Sequence, residues 1–399
     1  MSDSEPKSPL VSTLLELTAI PTVAGRERRI ITWIEQWVAE RQDLELIRDR
    51  TGNLTIQFRV LPANDSLPIY YTAHMDHPGF VVERVIGPAT VELAFRGGVM
   101  DDYFPEARIE LVTEDDRRLL GTIIERTEPS EASPFKHYIC DLDEADDSIT
   151  TNDIARWHLP EPEIRDGQLY TNACDDLAAA ACALQALDRT RELRKQGQCE
   201  DDVRVLLTRA EEIGFIGAIA AVRHGTIAEG AKVIALENSR AFPESPIGGG
   251  PIVRVGDRLT IFSPRLTDDI ARIAEDIAGG PSMPTSQQKE SDLPKWRWQR
   301  KLMAGGACEA TVFCHAGLDA TCVCLPLGNY HNMADLEAAQ KGELAGPPRV
   351  GQEHVSVSDA EGMVDLLVAC GRHLAQPPKS KTSQKIDDLW EGRKSILEE

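Results

Sequence analysis

The 399-residue chain is short of aromatic side chains, which make up 5% of it, and short of positive charge. Its 43 Lys and Arg stand against 65 Asp and Glu, a formal net charge of -22. A field of that sign repels phosphate backbones and anionic lipid heads, which argues against nucleic-acid and membrane partners. It suits soluble oligomers and cationic ligands such as the ammonium end of a peptide. No apolar run approaches the roughly 20 residues of a membrane span. The first nine residues are polar and acidic, without a basic stretch leading into an apolar one, so no export signal is expected. Nine cysteines are present but no C-x-x-C pair. Reduced thiols in a cytoplasmic protein are the expectation, used as small buried apolar side chains rather than as a thiolate metal site. Hydrophobic residues reach 42%, enough for an ordinary core in two domains or in one domain carrying an insertion.

Along the chain the apolar period changes twice. Arg28 to Arg41 repeats Ile30, Ile34 and Trp37 at helical spacing, and Leu67 to Ala73 is a short β-rich run ending at His74. From Val81 to about Tyr170, short β-prone runs follow one another: Thr90–Phe95, Arg108–Val112, Leu119–Ile124 and Tyr138–Cys140. Gly, Pro and acidic clusters separate them, the pattern of a small β-rich module. Helix–strand alternation then returns with a helix over Ala178–Leu187, a strand over Val203–Thr208, and a helix starting in Gly214–Val222. Strands over Lys232–Leu236 and Ala320–Leu327 and a closing helix over Ala360–Leu374 complete it. The fold class is α/β, a mixed central sheet flanked by helices, with an inserted small β-barrel-like domain. Four segments are expected: 1–77 and 169–375 as two parts of a catalytic domain, 78–168 as the insertion, and 376–399 as a polar tail, solvated or weakly helical.

The residues able to do chemistry share one position. His74 and Asp76 follow the strand that ends at Ala73, and Asp175 and Asp176 open the Ala-rich helix. Glu211 and Glu212 follow Val203–Thr208, Glu237 follows Lys232–Leu236, and His331 lies in the loop after Ala320–Leu327. Open α/β sheets build their sites outside the carboxyl ends of the strands. Two His and several carboxylates gathered there suit zinc, with cobalt or manganese as alternatives. In an extended His74-Met75-Asp76 the two outer side chains share a face, so Asp76 is placed to orient the His74 ring. Asp175 is placed to bridge two ions. A water shared by two divalent ions loses its proton near neutral pH, and a nearby Glu can accept it. Each motif alone has an ordinary reading: a chance His-x-Asp, an N-cap pair, a solvated helix start, a loop histidine. Only their common order along one sheet edge favours a site.

Several stretches resemble the dinuclear-zinc glutamyl and tetrahedral (TET) aminopeptidases. They are Ala73-His74-Met75-Asp76-His77-Pro78-Gly79-Phe80, Ala173-Cys174-Asp175-Asp176, Glu211-Glu212-Ile213-Gly214-Phe215-Ile216-Gly217-Ala218 and Tyr330-His331. The resemblance implies that His74, Asp175, Glu212, Glu237 and His331 ligate two divalent metals, with Asp175 bridging. It makes Glu211 the general base and Asp76 the residue behind His74. The 101-position separation of His74 and Asp175 (175 − 74) holds the insertion where that family carries its assembly domain, whereas related deacylases place theirs later. A peptide-cleaving homo-oligomer is implied, as a dimer or a dodecameric shell. The sequence departs from the family pattern at Glu237, usually Asp, and at Leu177, Cys308-Glu309 and His77. Alternative readings are a deacylase or dipeptidase with the same metal pair, a glycosidase using paired carboxylates, and a catalytically silent metal-binding relative.

Overall fold

The computed structural model describes residues 8–62, 67–128, 133–199, 201–282 and 295–397. The polar start of the chain up to residue 7 and the last two residues of the tail lie outside this set. Eight strands form the central sheet, in the order Leu44–Arg48, Leu54–Phe58, Val203–Thr208, Ile69–His74, Lys232–Arg240, Asp319–Leu327, Ile252–Gly256, Gln299–Leu302. The four middle strands run parallel. The Leu54 strand joins them antiparallel on one side, and the Ile252 strand on the other. Parallel strands covered on both faces must be apolar on both, and the middle strands are. Tyr70, Leu206, Val233 and Ala320 point into a small core under helices Ile216–Arg223 and Glu309–His315. Their neighbours Tyr71, Val205 and Ile234 point into the main core.

That main core is closed by helices Pro9–Leu17, Arg28–Ala39, Leu177–Lys195, Pro264–Ala278 and Val357–His373. The central one is buried without interruption from Leu177 to Leu184 because its side chains are mostly Ala, which lets it lie close against both sheet and helices. Tyr71 donates its buried hydroxyl to the Leu367 carbonyl at 2.6 Å and ties the last of these helices to the sheet. The Ile216 helix is pressed against its strand at Gly217, where a Cβ would come within 2.3 Å of the Arg209 carbonyl oxygen.

Between the strand ending at His74 and the Ala-rich helix, six antiparallel strands close into a barrel. Their order is Gly79–Gly87, Thr90–Arg96, Lys136–Leu142, Arg118–Thr127, Arg108–Val112, Ile154–Trp157. Phe80, Phe95, Phe104, Tyr138 and Trp157 fill it with edge-to-face and stacked ring pairs. These five rings, of the six Trp, six Tyr and nine Phe in the chain, suffice for so small a barrel. The expected fold class is therefore the observed one. The 376–399 segment is more helical than expected, with a helix at Lys381–Arg393 capped by the Ser380 hydroxyl and exposed throughout. Among the described residues no helix is long and apolar enough to cross a membrane.

Candidate metal centre

His74, Asp76, Asp175, Asp176, Glu211, Glu212, Glu237 and His331 meet at the carboxyl edge of the parallel strands, and all but Glu212, which is half-buried, are buried. His74 is the last residue of its strand and lies in register with Thr208, the last of the neighbouring strand. The Glu211-Glu212 turn is thereby set beside the imidazole. His74 Nε2 lies 3.3 Å from Asp175 Oδ1 and 3.9 Å from Glu211 Oε2. His331 Nε2 lies 3.5 Å from Asp175 Oδ2 and 3.3 Å from Glu212 Oε1. The two oxygens of Asp175 thus face two different imidazoles. Glu237 belongs to the same cluster: ligand atoms of His74, Glu211 and Glu237 fall within 4.8 Å of one another, as do those of His74, Asp175 and Glu212.

Buried carboxylates hold this arrangement by its backbone. Asp76 Oδ1 accepts the Glu211 amide at 2.9 Å and Oδ2 the Glu212 amide at 3.0 Å. The His74 ring, through Nδ1, is bonded to the Asp76 main-chain carbonyl at 3.1 Å, with the carboxylate at 3.7 Å. Glu353 accepts the Cys174 and Asp175 amides with one oxygen and the His331 amide with the other. Glu27 accepts the amides of Gly25 and Ala210. Ala210 (φ 53) and His331 (φ 54) are left-handed non-glycine residues beside or within the cluster, a strained backbone that these carboxylates stabilise. Asp176 sits at the N-cap position without capping; its carboxylate accepts the His74 amide at 3.3 Å. His77 bridges the Asp175 carbonyl and the Asn332 side chain, at 2.5 and 3.0 Å.

Sequence reading missed Glu353, Glu27 and Arg254. Glu353 is 22 residues beyond His331 (353 − 331), in a strand paired with Gln168–Thr171, and nothing in a lone Glu-His-Val-Ser announces it.

The residues fit divalent cations. Among the described residues, the buried Asp175 Oδ1 and Glu212 Oε1 have no hydrogen-bond partner. Burial first, then the charges of Asp175, Asp176 and Glu211, drive the Glu237 carboxyl well above the usual range. Burial opposes charge on His74 and His331, but the surrounding carboxylates overcome it and raise both well above an ordinary imidazole. Asp175 is held low despite burial by His331 and His74. So much buried negative charge calls for positive charge, and hard cations with oxygen and imidazole donors supply it. A cleft of about 370 Å³ opens over the cluster, walled by Met100, Phe242, Met303 and Tyr330, with Arg254 facing it.

Comparison with known proteins agrees with this chemistry. The family model of the M42 glutamyl aminopeptidases matches residues 52–279. No curated protein matches the chain. Among solved structures, an aminopeptidase from the archaeon Desulfurococcus kamchatkensis is 19% identical with a TM-score of 0.71, covering 91% of this chain and 94% of its own. The TET1 peptidase of Pyrococcus horikoshii, which can assemble into a tetrahedron or a large octahedral shell, is 20% identical with a TM-score of 0.68, covering 91% and 99%. An M18-family aminopeptidase from Thermotoga maritima is 14% identical with a TM-score of 0.61, covering 92% and 98%. At these identities the structures share the fold; the family model, spanning more than half of the chain, shows the membership. The chain belongs to the M42 glutamyl aminopeptidase family, a family of metal-dependent peptide hydrolases.

Proposed function

We propose that the chain removes N-terminal residues from peptides with two divalent ions, zinc in the first instance. One would be held by His74, Glu237 and Asp175, the other by His331, Glu212 and Asp175. The observation that carries this is the division of Asp175 between His74 and His331, one oxygen to each. When bound, such ions polarise a carbonyl and acidify water. Glu211 is the proposed general base and acid: its carboxylate faces His74 from beside the ligands and lines the cleft. Taking a proton there and giving it to the leaving amine needs a carboxylate free to move, and Asp76 pins Glu211 by its main chain. Asp76 is a positioning residue in this reading.

The cleft also supports an acidic N-terminal side chain, in line with the family's glutamyl description. Arg254 is buried at 3% exposure and forms no ion pair among the described residues; its Nη1 donates to Ser239 Oγ at 3.0 Å. A buried guanidinium that lines the cleft is suited to pair with a substrate carboxylate. Assembly into a homo-oligomer through the barrel is part of the proposal, and Val85, Ile86 and Ile124 stand exposed on it. A light-scattering mass of one 44.0 kDa chain would contradict the assembly.

The test is a panel of short peptides and aminoacyl substrates. Release of a free N-terminal amino acid, blocked by acetylation of the substrate, supports an aminopeptidase. Activity only on acylated substrates would favour a deacylase instead.

A further inference from the structure

The two imidazoles of the cluster are oriented from different parts of the fold. His74 Nδ1 is bonded to the carbonyl of Asp76, two residues on in the same loop. His331 Nδ1 is bonded at 2.7 Å to the carbonyl of Gly98, which follows the barrel strand Thr90–Arg96. A carbonyl only accepts, so Nδ1 keeps a proton, which leaves Nε2, on the side of Asp175 and Glu212, as the atom that would ligate a metal. Gly98 also lies beside the ring, since a Cβ there would stand 3.7 Å from Nδ1. The segment after His331 is tied to the barrel as well. Tyr103 donates its hydroxyl to the Ala334 carbonyl at 2.7 Å, and Met333 and Leu336 pack into the barrel core.

We propose that the barrel insertion is a working part of the metal centre: Gly98 is a positioning residue for His331, and the affinity of the His331 metal position, unlike that of the His74 position, depends on how the barrel presents the Gly97–Gly98 peptide. This rests on the two-metal reading above. An outer partner that fixes a ligating imidazole is worth about 10–100-fold in metal affinity. The barrel then reaches the chemistry through one hydrogen bond as well as through any assembly it supports.

The full chain is titrated with zinc against a chromophoric chelator, and with cobalt as an optical probe. Gly97→Ala is the test variant. Gly97 has φ +139, and a Cβ there would meet the Pro78 Cβ at 2.6 Å, so the substitution shifts the peptide without touching a ligand. The expected result is one zinc bound as in the wild type and one bound at least about 10-fold more weakly. The weakened step should be the one that His331→Gln abolishes. Tyr103→Phe should weaken the same step to a smaller degree, and it decides the matter if Gly97→Ala does not fold. Two unchanged steps, or two steps weakened equally, would overturn the proposal. A wild-type chain that takes up no zinc would overturn the metal reading beneath it.

Discussion

Glu353 accepts the Asp175 amide at 3.0 Å with one carboxylate oxygen and the His331 amide at 2.8 Å with the other. One buried side chain thus fixes the distance between the two loops that carry the proposed bridging ligand and the second imidazole. Burial pushes this carboxyl up to about 7, against the opposing pull of His77, so it is held in place at a cost. In Glu353→Gln one acceptor becomes an NH₂ that faces an amide N–H. Zinc affinity should fall about 10–100-fold, with activity recovering in excess zinc. Wild-type affinity measured by competition titration would show that the loops keep their spacing without it.

Glu211→Gln keeps shape and removes the proposed base. Zinc content should stay at the wild-type level while kcat drops by about 10²–10⁴, with KM little changed. Steady-state kinetics beside metal analysis checks this. A variant with full turnover places the proton transfer elsewhere.

Arg254→Met conserves much of the volume and deletes the buried charge. The ratio of kcat/KM for a glutamyl over a leucyl substrate should fall about 10-fold or more, since a hydrogen bond to a charged group contributes about 1.5–3 kcal/mol. An unchanged ratio would mean that Arg254 serves only its Ser239 contact.

Glu309 is buried behind the cluster, bonded to the Thr208 hydroxyl at 2.5 Å, and burial raises its carboxyl from 4.5 to about 7. A carboxyl that binds its proton more tightly folded than unfolded adds stability below pH 4.5, which is lost as pH rises through 7. The loss attributable to Glu309 is on the order of 3 kcal/mol at most. In chain stripped of metal, Tm should therefore decline over that window, and Glu309→Gln should decline less. Parallel curves for the two proteins would show that Glu309 does not titrate there.

Much of this centre was legible in the sequence because ligands sit where strands end, and strand ends are read from apolar runs. His74, Glu211-Glu212 and Glu237 could be placed on one edge that way, and the barrel strands Arg108–Val112 and Thr90–Arg96 followed from β-prone runs. What was not legible depends on pairing across long separations. Glu353 meets Asp175 from 178 positions away, and Arg254 reaches the cleft only because its strand lies antiparallel to Asp319–Leu327. The Asp76 interaction shows the finer limit. The His-x-Asp spacing put Asp76 beside His74, yet the ring contact at hydrogen-bond distance is to its carbonyl, while the side chain serves the two glutamates.

Metal analysis of the purified 44.0 kDa chain, joined to peptide hydrolysis before and after chelation, tests the central claim most directly. The expected result is two zinc ions per chain, loss of N-terminal residue release when they are removed, and its return when zinc is restored. A chain freed of metal that cleaves peptides at the full rate would contradict it.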